Sequence, residues 1–169
     1  ESNEWTSLFD RFDGITVGRV VVGLTLLAVA LRVVGIGARS AHWDEARVAY
    51  WSYFYTDTGS LAYYWEEHGP FAQLAAARLF DVIGVSDTAA RLPVALVGGL
   101  LPASALLYRK HLRKTETVAL AGLLSLNAIL LYYSRFMRSD VLVATFMFVG
   151  LGLVVRFVDT RKVPYLLAS

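Results

Sequence analysis

The sequence predicts an all-α fold: a polytopic integral membrane protein with a long outer loop containing interfacial helices. Three observations predict it. The 169 residues are 56% hydrophobic and only 18% charged, a composition outside the range of water-soluble domains. Four apolar stretches, 17–36, 92–108, 118–133 and 141–155, recur along the chain. The interval 37–91 between the first two is long and rich in aromatic and charged residues. The formal net charge of +2 sits in short basic clusters between apolar runs, so nucleic acid is excluded as a partner. The chain holds no cysteine, which excludes disulfides and thiolate metal sites.

The stretch 17–36 follows a segment holding Asp10, Arg11 and Asp13, and it is longer than a secretory signal core, so it reads as a retained anchor helix. Arg32, near its end, is expected to snorkel to the interface or to pair with an acid of a neighbouring helix. A crossing helix needs about 20 apolar residues. The three later stretches are somewhat shorter, and flanking Tyr, Ser, Thr and Arg complete them. A further apolar run starts after Pro164, and the chain opens without methionine, so the expectation is the N-terminal part of a longer membrane domain.

Orientation follows the cations. The segments 109–114 and 156–162 are the densest in Lys and Arg, and both are expected in the cytoplasm, with the N-terminus. The loop 37–91 and the turn 134–140 then face the extracytoplasmic side of the cell membrane. Within the loop, 70–84 has a helical pattern but carries Arg78 and Asp81, and a central charge costs roughly 2.5 to 3.5 kcal/mol on insertion. It reads as a helix lying in the interface, with Phe71, Leu74, Ala75, Val82 and Ile83 near one face and Arg78 and Asp81 paired at i,i+3 on another. The aromatic segment 46–55 is a second interfacial candidate, broken by Thr56-Asp57-Thr58-Gly59-Ser60.

Three polar groups project to the expected outer side: His42-Trp43-Asp44-Glu45, Trp65-Glu66-Glu67-His68-Gly69-Pro70, and the turn from Ser134 to Asp140. Carboxylates at a bilayer surface need cations, protons or a metal, and Arg47, His68, Arg135 and Arg138 are available partners. The residues alone leave two readings open, a hydrated loop with scattered ion pairs and an assembled site. Arg91 and Pro93 read as marking the start of the second crossing, Arg91 as an interfacial anchor. His42 reads as a local hydrogen-bonding partner.

Asp44-Glu45 after the first helix, the acid, base and proline at Glu67, His68 and Pro70, then Gly84-Val85-Ser86-Asp87-Thr88-Ala89-Ala90-Arg91-Leu92-Pro93, and finally Arg135 five residues before Asp140 form a series. In this order, the series resembles the C-type glycosyltransferase superfamily, nearest to protein O-mannosyltransferases and the lipid A aminoarabinose transferase. The likeness runs from about Val17 to the end and is closest to an archaeal branch with a similar His-Gly-Pro, some members of which are named as flippase-associated. It implies a membrane-embedded inverting glycosyltransferase, hexosyl or pentosyl, that moves a sugar from a polyprenyl-phosphate carrier to an acceptor hydroxyl.

By that resemblance Asp44 is the general base, Glu45 supports it, and Asp140 is the second outer-loop acid. Glu67, His68 and Arg135 bind the donor, with Arg135 beside the carrier phosphate. Arg138, close in sequence, is added as a donor-binding residue. Relatives have Lys or His followed by two prolines where this chain has His68-Gly69-Pro70, and a neutral imidazole is the weaker phosphate partner. Some members bind a divalent cation, for which Asp44 and Asp140, with His68, are candidate ligands, while others use none. A non-catalytic lipid-sugar binder or flippase accessory is the alternative reading. A transporter is disfavoured, because the acids lie in loops rather than mid-helix.

Overall fold

The computed structural model describes residues 14–61 and 70–169. Helix α1 (Gly14–Val33) is 20 residues long, about 30 Å at 1.5 Å per residue, enough for a hydrocarbon core. Helices α2 (Trp43–Thr58) and α3 (Phe71–Ile83) follow, and neither is long and apolar enough to cross. Helix α4 (Asp87–Leu100) runs directly into a 3-10 segment (Leu101–Tyr108), and the two make one 22-residue candidate span. Helices α5 (Lys114–Leu126) and α6 (Ala128–Ser134) meet at Asn127 with a bend of 49° and together make a broken span. Helix α7 (Asp140–Thr160) is the third unbroken candidate, and α8 (Val163–Leu167) ends the chain. Among the described residues the fold is all-α, with three spans, or four if the bent pair counts as one.

The bundle packs on small residues. Val17 and Val21 of α1 meet Ala105 and Ala121 at one end. Gly99 lets α4 approach Val29, where an added Cβ would stand 2.8 Å from the Val29 Cγ2. Gly98 does the same toward Val141, at 2.7 Å from its Cγ1, and Gly152 toward Leu107, at 2.8 Å from its Cδ1. Such approaches let helix backbones close up without apolar side chains between them.

Helices α2 and α3 close one end of this bundle. Ala76 and Phe80 of α3 form a core with Ala89, Ala90 and Met137, against which Val48 and Ala49 of α2 pack. Ala72 joins Val94, Val141 and Leu142. The opposite side of α3 leaves Phe71, Val82 and Ile83 exposed, the apolar surface an interfacial helix offers to lipid. Arg78 and Asp81 stand 3.7 Å apart, as their i,i+3 spacing predicts.

Two local expectations are corrected. Pro93 lies in the interior of α4 and not in its first turn, because the helix already starts at Asp87, where the Ser86 side chain accepts from the Ala89 amide at 3.2 Å. The stretch 118–133 is not one straight helix. Asn127 leaves helical geometry at ψ 121°, and its Oδ1 accepts from the Leu130 amide at 3.0 Å, ending one helix and capping the next.

Candidate active site

The site grows from the first turn of α2. His42 is the N-cap, its Nδ1 accepting from the Asp44 amide at 3.3 Å, while the Glu45 carboxylate accepts from the His42 amide at 3.0 Å. This reciprocal cap fixes the helix start. Consecutive helical residues point about 100° apart. Here Glu45 turns into the protein and Asp44 outward: Glu45 is 2% exposed and Asp44 43%.

Four donors and a second cation converge on Glu45. Arg91 donates through Nε at 2.9 Å and Nη2 at 3.3 Å, the amides of Met137 and His42 donate at 3.0 Å each, and Arg39 Nη2 forms an ion pair with it at 2.8 Å. Burial by itself would raise the Glu45 pKa. The Arg91 bond and the two amides outweigh it and hold the carboxyl below its ordinary range. Arg91 is 1% exposed and also donates to the carbonyls of Ile36 and Arg39, tying down the chain between α1 and α2. The interfacial anchor expected of Arg91 is thus corrected to a buried counter-charge. With these contacts Glu45 holds Arg91, Arg39 and the Met137 amide in place.

Asp44 and Asp140 meet around one cation. Arg138 donates through Nη1 to Asp44 Oδ2 at 3.1 Å, and its Nε stands 3.0 Å from Asp140 Oδ2. All three side chains are part-exposed, at 43%, 32% and 48% for Asp44, Arg138 and Asp140. They are therefore open to a ligand in a way that Glu45 is not. Asp140 opens α7, where a carboxylate also suits the helix dipole.

The turn carrying Arg138 is fastened at each step. Arg135 donates through Nη1 to the carbonyls of Leu31 and Val34, at 2.8 Å each, and through Nη2 to Gly35 at 3.0 Å, capping the end of α1. Arg39 lies 4.1 Å above the Phe136 ring and donates to the Arg135 carbonyl at 3.2 Å. Below, the fully buried Arg32 donates to Ser134 Oγ at 3.0 Å and to the carbonyls of Leu124 and Ser125, at 3.2 and 3.1 Å. Fully buried, Arg32 does not snorkel, and among the described residues it pairs with no acid. The bend at Asn127 leaves the last carbonyls of α5 without helical partners, and Arg32 satisfies them.

Glu67 and His68 lie outside the described residues. Among the described residues no three His, Asp or Glu side chains gather as a metal site. Between Asp44 and Asp140, where the sequence suggested a divalent cation, stands the Arg138 guanidinium, which already supplies positive charge to both carboxylates. His68, the third candidate ligand, lies outside the described residues.

The sequence reading missed Arg39 and the buried role of Arg91. Both partner an acid that it had named, and a capping-box Glu followed by an aromatic helix at a membrane surface was the signal that a counter-charge was needed.

The family model of the dolichyl-phosphate-mannose-protein mannosyltransferases matches residues 67–169. The chain belongs to this family. It is a family of membrane-bound glycosyltransferases that draw on a polyprenyl-phosphate-linked sugar. The matched segment holds Arg91, Arg135, Arg138 and Asp140, while Asp44 and Glu45 precede it. No curated protein and no solved structure matches the chain.

Proposed function

We propose that this chain belongs to a membrane-embedded inverting glycosyltransferase that moves a sugar from a polyprenyl-phosphate carrier to an acceptor hydroxyl on the extracytoplasmic side. The observation that carries the reading is the meeting of Asp44 and Asp140 on Arg138, from segments 94 residues apart, in a chain of this family.

In a single displacement the acceptor oxygen attacks the anomeric carbon as the bond from that carbon to the phosphate oxygen breaks. Asp44 takes the proton of the attacking hydroxyl, and the electron pair of the broken bond leaves on the lipid phosphate. Asp140 shares the charge environment of Asp44 and keeps Arg138 in place. Arg138 is the cation facing the substrate side, and it stabilises the negative charge gathering on the leaving phosphate. As Arg138 turns toward that phosphate it loosens its hold on Asp44, which frees the carboxylate to act as base. Arg135, which the resemblance puts beside the phosphate, serves mainly through the turn, since three of its bonds go to the end of α1. Glu67 and His68 remain proposed donor contacts. The extracytoplasmic side is supported by the grouping of the basic segments at the other end of the bundle, where His111 meets Asp159 at 3.1 Å and Arg156 donates to the Leu106 carbonyl at 2.7 Å.

The test is Asp44→Asn. Transfer from the lipid-linked sugar should fall by about 100-fold or more, the scale of general-base loss, with the helical content and thermal midpoint of the protein kept. Full transfer by this variant would remove Asp44 as the base.

A further inference from the structure

At the end of the bundle away from Asp44 a cleft of about 430 Å³ opens between α1, the 3-10 segment and the start of α5. Its apolar side is made by Val17, Leu106 and Leu112, with the buried Thr117 beside them, and its cationic side by Arg109, Lys110 and Lys114. We propose that this cleft is a binding site for the headgroup and upper acyl chain of an anionic phospholipid. It is independent of the sugar-transfer reading.

Charge accounting carries the argument. The segment 109–114, from the end of the 3-10 segment into the first residue of α5, holds four Lys or Arg side chains and one His. Arg113 is neutralised by Glu116 at 2.7 Å, and His111 faces Asp159 at 3.1 Å. Neither lines the cleft. Among the described residues no carboxylate stands within ion-pair distance of Arg109, Lys110 or Lys114, and all three are exposed. Within 109–114, and among the described residues, the cations without a carboxylate partner are thus the ones that line the cleft. A topogenic cluster of positive charge alone requires neither that sorting nor an apolar floor.

The depth of the cleft selects a lipid over a free anion. Val17 lies in the first turn of α1, and Leu106 in the last turn of the span ending at Tyr108, so the floor sits where the spans leave the hydrocarbon. Headgroup phosphates lie at that level, and basic pockets between spanning helices recognise them. The N-terminus of α5 adds its positive dipole end to the same side. A phosphodiester set among the three cations would lead its acyl chain along Val17 and Leu106.

The experiment titrates the purified chain in neutral detergent with phosphatidylglycerol and phosphatidylcholine of identical acyl chains, counting bound lipid by native mass spectrometry. One saturable phosphatidylglycerol is expected, bound at least tenfold more tightly than phosphatidylcholine. Arg109→Gln, Lys110→Gln and Lys114→Gln should each weaken it by about fivefold, the factor that roughly 1 kcal/mol per cation represents. Arg113→Gln, which removes a cation already neutralised, should leave it unchanged. Leu112→Trp keeps every charge but fills the cleft, and should weaken binding as well. Equal affinity for the two lipids would overturn the proposal, as would equal loss in Arg113→Gln and the cleft variants. Displacement of the lipid by low-millimolar inorganic phosphate would overturn it in favour of a free-anion site.

Discussion

Replacing Glu45 by Gln leaves the buried Arg91 guanidinium with only the half-exposed Asp87, 3.9 Å away, as counter-charge, and breaking a buried pair from one side commonly costs about 3 kcal/mol or more. We expect a clear fall in thermal midpoint for Glu45→Gln. A double variant with Arg91→Met should lose less than the sum of the two single changes, because the penalty is the orphaned charge rather than the lost bond. The same carboxylate sets an acid limit. Its folded pKa is lowered, so its contribution is fully present above the ordinary carboxylate value of about 4.3 and disappears as pH falls through the lower folded value. The wild-type midpoint should drop below about pH 4 through this group, and that part of the drop should be missing in Glu45→Gln. A pH profile identical in both proteins would contradict the assignment. Asp44, one residue earlier, lies outside this network, which is why Asp44→Asn tests chemistry and Glu45→Gln tests placement.

At the scale of helices, Gly98 is the position where α4 approaches Ser134 and Val141, the residues on either side of the turn that carries Arg138. Gly98→Ala should destabilise by about 1 to 3 kcal/mol, the usual cost of overpacking, and should lower transfer as well by pushing that turn outward. Gly18→Ala is the control. Nothing lies within 4 Å of its added Cβ, so the change should be neutral or gain up to about 1 kcal/mol of helix propensity, read as thermal midpoint in detergent. Much of this layer was legible in the sequence, since apolar runs bounded by Lys and Arg specify helices through the cost of leaving backbone groups unpaired in lipid. That α3 is a helix too short to cross was legible from the length of the segment and from Arg78 and Asp81 within it. The bend at Asn127 was not read, although an Asn within an apolar run is a possible cap. The Glu45 to Arg91 pair spans 46 residues, and no local period encodes a contact between a helix cap and a residue of another helix. Arg135 illustrates the same limit: its spacing to Asp140 was visible, but its bonds to the end of α1 depend on how the helices pack.

For the whole molecule, two sets of contacts define two ends. Glu45, Arg91, Arg39 and the turn 135–139 meet at one, and His111 with Asp159 at the other. Because the chain has no native thiol, single cysteines report each end without background. Cysteines placed at Ser60 and Ser139 should react with a membrane-impermeant maleimide added to intact cells, whereas His111→Cys should react only after the membrane is opened. The substitution at His111 gives up only the contact of a half-exposed imidazole with Asp159, worth about 1 kcal/mol or less, so folding should survive it. Reaction at His111 from outside, with protection of the other two, would invert the orientation and put the acids in the cytoplasm, while leaving their meeting on Arg138 intact. Ser60 and Ser139 labelled from opposite sides would do more damage. α3 would then have to cross the membrane despite its 13 residues and central charges, and Asp44 and Asp140 would no longer share one substrate.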